Sequence, residues 1–65
     1  MKPFEIVLRV VYIVGTRKRH VGPARTFEVL APDEPSAIEL ATAMAKPKGK
    51  KIAEIRVESV NMGNS

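Results

Sequence analysis

A chain of 65 residues with 11 Lys and Arg against 7 Asp and Glu carries a formal net charge of +4 and is the right size for one small domain. It has no cysteine, which excludes disulfide staples and thiolate metal sites, so stability has to come from the core or from self-association. An isoelectric point near 9.9 favours an anionic partner: nucleic acid, anionic lipid or an acidic protein surface.

The stretch Phe4 to Val14 reads FEIVLRVVYIV. Phe4, Ile6, Leu8, Val10, Tyr12 and Val14 alternate strictly with Glu5, Val7, Arg9, Val11 and Ile13, and a period of two predicts a strand. Both faces are largely apolar, which suits a central strand. The run holds Glu5 and Arg9 and is too short to cross a bilayer as a helix. No signal peptide is expected, so the reading is a cytoplasmic protein with no membrane partner.

Gly15 to Ala24 (GTRKRHVGPA) carries two glycines, a proline and a cluster of charge, and predicts an open, mobile loop. Arg25 to Leu30 predicts a second strand, with Phe27 and Val29 inward and Thr26 and Glu28 outward. Its polarity suits an edge. Asp33 is placed to cap a helix, with Glu34 at the positive end of the dipole and Pro35 in the first turn. The helix is predicted from Ser36 to about Lys46, with a core stripe of Ala37, Ile38, Ala41, Met44 and Ala45 and with Leu40 on the flank. Pro47 and Gly49 end it. Lys51 to Val60 predicts a third strand with Ala53, Ile55 and Val57 inward and Glu54, Arg56 and Glu58 outward. Residues 61–65 read as a flexible tail beyond a 1–60 domain.

These elements give an α+β fold of two layers: β-β-α-β, a three-stranded antiparallel sheet in the order 2-1-3, and one helix packed on one face. A right-handed crossover makes the third strand parallel to the second, and the greasy first strand then takes the centre. The hairpin loop and the C-terminal end of the helix meet at one pole. That pole is expected to gather Arg17, Lys18, Arg19, Arg25, Lys46, Lys48, Lys50 and Lys51, with Glu5, Asp33 and Glu34 toward the other end.

Clustered cations of this kind suit phosphate contacts, through which affinity falls as salt displaces them. Phe4, Phe27 and Tyr12 are the only aromatic residues and all lie on the core face, so backbone contacts with low sequence specificity are expected. Val7, Val11 and Ile13 fall on the face opposite the helix and are candidates for a protein interface or a homodimer. His20, the only histidine, reads as a solvated loop side chain. No metal site, cofactor or catalytic residue is expected, because no carboxylate is placed to work with it and no glycine-rich phosphate loop is present.

The stretches FEVLAPDEPSAIELATAMA and IAEIRVESV resemble the archaeal ribosomal protein LX module, and a similar pattern occurs in small phage proteins that bind host enzymes. The first resemblance implies a basic β-β-α-β module on ribosomal RNA. The second implies a modulator of a host enzyme such as RNA polymerase. The expectation is therefore a non-enzymatic module that contacts nucleic acid through its basic pole. The alternative is a protein-interaction module of the phage type, or a homodimer through the open sheet face.

Overall fold

A computed structural model describes residues 1–63. The chain order is β1 (Lys2–Val14), β2 (Lys18–Val21), β3 (Arg25–Ala31), α1 (Glu34–Ala45) and β4 (Ile52–Met62). Every strand pairing is antiparallel to β1. β4 runs along one edge of β1, while β3 and β2 lie end to end along the other: β3 against Lys2–Leu8 and β2 against Val11–Val14. Among the described residues the fold is thus α+β with one helix and a four-stranded antiparallel sheet, and the predicted order of three strands around a central β1 is embedded in it.

The fourth strand corrects the loop reading of Gly15 to Ala24. Gly15 takes a left-handed φ of 68°, which an L side chain resists. It lets Gly15-Thr16-Arg17 turn the chain tightly, so that Lys18 opposes Val14. β2 is exposed throughout and is held by backbone pairing to the apolar end of β1 rather than by burial. Between β2 and β3 the strand carries one extra residue: Val21 opposes Val11 and Arg25 opposes Leu8, so four steps face three. The Gly22 N–H still donates to the Val10 carbonyl at 2.9 Å, and the bulge is confined to Gly22-Pro23-Ala24.

Two bulges in β4 decide which of its side chains face the helix. Ser59 opposes Val7 but Val57 opposes Leu8, so Glu58 is the extra residue. In unbroken register that carboxylate would sit beside Leu8 on the core side; the bulge moves it outward. Further along, Glu54 opposes Val11 and Ile52 opposes Tyr12, which skips Ala53. Ile52 therefore joins the core beside Ile55 and Val60, where Ala53 was expected. β4 also continues through Met62, past the expected end at Val60, and the Gly63 N–H donates to the Pro3 carbonyl at 3.0 Å. Of the tail expected over 61–65, residues 61 and 62 are therefore strand, and 64 and 65 lie outside the described residues.

The helix packs over the face carrying Phe4, Ile6, Leu8 and Val10, all at most 5% exposed. Ala37, Ala41 and Ala45 recur every fourth residue and are buried, a stripe small enough to bring the helix close to the sheet. Met44, expected in that stripe, is 58% exposed. The Asp33 side chain caps the first turn, accepting the Ser36 N–H at 3.0 Å. Among the described residues no helix is long and apolar enough to cross a membrane.

Candidate nucleic-acid interface

A 12-residue helix spans roughly 18 Å, whereas β1, with 13 residues, spans roughly 43 Å. The helix starts next to the β3 end of the sheet and therefore stops well short of the β1–β2 turn. Tyr12 and Val14 continue the core face of β1 beyond its cover; Tyr12 is half-buried and Val14 exposed. The segment from Lys46 to Lys51 must then carry the chain over the remaining distance. It ends against the sheet, where the Ile13 N–H donates to the Lys51 carbonyl at 3.0 Å.

Between this segment and the hairpin lies an open cleft of about 670 Å³, lined by Tyr12, Val14, His20, Gly22, Lys50 and Lys51 among others. Tyr12 and His20 oppose each other across β1 and β2, so both point to the helix side of the sheet. The Lys50 Nζ sits 5.4 Å from the centroid of the Tyr12 ring, a cation–π distance. Gly22 closes in on the same ring. A Cβ built there would lie 3.2 Å from Tyr12 Cε2 and 3.2 Å from the Val10 carbonyl oxygen, so a side chain at this position would press on both the ring and the strand.

The predicted basic residues do not all reach this pole. Arg17 lies in the turn, Lys18 opposes Val14 at the tip, Lys46 caps the helix C-terminus, and Lys50 and Lys51 border the cleft, with Lys48 in the same segment. All are exposed. Arg19 faces the opposite side of the sheet and reaches Glu54 at 3.8 Å. That Glu54 also accepts from Arg56 at 3.1 Å. Arg25 is placed differently: it opposes Leu8, beyond the bulge, and its guanidinium lies 5.0 Å from the centroid of the Phe27 ring. It belongs to the middle of the sheet and covers an aromatic core residue there.

The face away from the helix carries Val7, Val11 and Ile13, but they do not form an exposed apolar row. Val11 is 0% exposed, enclosed between Val21 and Glu54 on its two neighbouring strands. Val7 is half-buried and Ile13 is 37% exposed. The surroundings are ionic. Arg9 pairs with Glu58 and donates to the Gly22 carbonyl at 3.3 Å, so one side chain ties the β4 bulge to the bulge between β2 and β3. Arg9 and Arg56 oppose each other directly, a repulsive placement that Glu58 and Glu54 offset. A charge introduced at Val11 therefore tests the packing of the sheet and not an interface.

Sequence reasoning placed the aromatic residues on the core face correctly but missed that Tyr12 outlasts the helix. The signal was available in the lengths: the alternation runs to Val14, while the helical stretch is too short to cover it. No protein-family model matches this chain, and no curated protein or solved structure matches it.

Proposed function

We propose that the protein is a non-enzymatic binding module that holds nucleic acid by its phosphates through the end of the molecule carrying Arg17, Lys18, Lys46, Lys48, Lys50 and Lys51. The observation that supports this reading is the convergence of two separate basic segments, fixed by the Ile13–Lys51 backbone bond. No Asp or Glu lies in either Gly15–Phe27 or Leu40–Ala53. The cleft lining has no carboxylate to pair with His20, which suits holding an anion rather than acid–base chemistry. Arg19, which faces the opposite side of the sheet and is paired with Glu54, and Arg25 are not included.

The test is a triple variant, Arg17→Glu, Lys18→Glu and Lys48→Glu. All three side chains are exposed and none forms an ion pair among those described, so the fold should persist, as read by the thermal transition. Binding to a labelled oligonucleotide at low salt should fall at least tenfold, since each lost phosphate contact removes part of the counterion release. Unchanged binding would exclude the pole. A complex with a cellular protein that survives both the triple reversal and nuclease would favour the rival reading, a protein-interaction module.

A further inference from the structure

We propose that the cleft over Tyr12 takes one unpaired nucleobase, so that the protein selects single-stranded nucleic acid. This rests on the nucleic-acid reading of the basic pole and specifies what it would bind. A volume of about 670 Å³ lies within the range of ligand pockets, roughly 300 to 1,000 Å³. Its floor is an aromatic ring that the helix leaves uncovered, and a base can stack on such a ring whatever its identity. Gly22 lies against the ring, and a Cβ there would be only 3.2 Å from Tyr12 Cε2. The Lys50 ammonium lies over the ring, 5.4 Å from its centroid.

A lysine ammonium on a flexible stem is a replaceable cover. When a base occupies the ring, Lys50 is displaced toward the phosphate attached to that base, and Lys51 and Lys18 lie on the same side of the molecule for its neighbours. His20, beside Tyr12 in the lining, offers a second planar edge to the base. Within a duplex the internal bases are stacked on both faces and enter the cleft only by unpairing. Phosphate attraction alone would favour the duplex, whose charge density is higher.

The chain contains a single tyrosine and no tryptophan, so its intrinsic fluorescence reports on Tyr12 alone. The experiment titrates the unmodified protein with a short oligothymidylate, an abasic oligomer of equal length and a duplex, at low salt. Oligothymidylate should quench the tyrosine and bind more tightly than the abasic oligomer, which should bind without quenching. Tyr12→Leu should weaken oligothymidylate binding about tenfold to a hundredfold, the range for loss of one stacked base, and leave abasic binding unchanged. The wild-type quenching does not depend on whether that variant folds. Oligothymidylate binding no tighter than the abasic oligomer, with no change in fluorescence, would overturn the base-binding cleft and leave the phosphate reading standing. No binding to any of them would remove both.

Discussion

Asp33 holds the entrance to the helix with one carboxylate. The Ser36 hydroxyl and then the Ser36 backbone N–H keep its carboxyl below the usual range, because both favour the charged form. A depressed folded-state value means that the stabilisation is present above the unfolded value and lost as pH falls through the folded one. Asn also caps helices well but does not titrate. Asp33→Asn should therefore cost more stability at about pH 6 than at an acidic pH below the folded-state value, where the wild-type carboxylate has taken up its proton. Thermal melts of both proteins at the two pH values check this. An equal difference at both would mean that the ionised form contributes nothing. This cap was legible from the sequence, since Asp33, Glu34 and Pro35 stand in the order that a helix start requires.

At the scale of elements, the alanine stripe sets the spacing between layers. Ala41 is 0% exposed and lies midway along the helix between Ala37 and Ala45. Ala41→Leu should cost about 1 to 3 kcal/mol, because the added methylenes force the helix off the sheet. Chemical denaturation reads this as a lower midpoint. An unchanged midpoint would mean that the helix is loosely seated. The helix and three of the strands were legible because their periodicities are clean. The bulges were not: nothing in IAEIRVESVNM marks Ala53 and Glu58 as the residues to skip. They become necessary only once the neighbouring strand puts Tyr12 opposite Ile52 and Leu8 opposite Val57. β2 was hidden for a related reason. Lys18-Arg19-His20-Val21 has no apolar alternation to detect, and its pairing comes from the length of β1. The outer edge of β4 has no partner among the described residues. Its bulges and the charges of Glu54, Arg56 and Glu58 protect it from pairing with another chain.

The molecule measures 43 × 17 × 15 Å, and its long axis matches the length of β1. Charge is graded along that axis: Asp33 and Glu34 lie where the helix begins, and the basic segments lie where β1 ends. The ion pair of Glu54 with Arg19 at 3.8 Å moderates this gradient, with both side chains well exposed to water, so it contributes little to stability. Its consequence is for binding. If about four of the pole's cations contact phosphates together, the slope of log affinity against log salt should be roughly −3.6 on duplex DNA and −2.8 on single strands. Glu54→Gln frees Arg19 to make one more contact, which should steepen the duplex slope by about 0.9. It also releases Arg56, which stands on the same face as Arg19 but farther along the sheet. Combining Glu54→Gln with Arg19→Gln should therefore return the slope to the wild-type value if Arg19 alone is responsible. A salt series with labelled duplex and single-stranded oligonucleotides measures all four numbers. A slope near zero for the wild-type protein would end the phosphate reading. A slope that Glu54→Gln leaves unchanged would mean that Arg19 faces away from the bound strand, and that contact is confined to the side of the sheet carrying Tyr12 and Lys50.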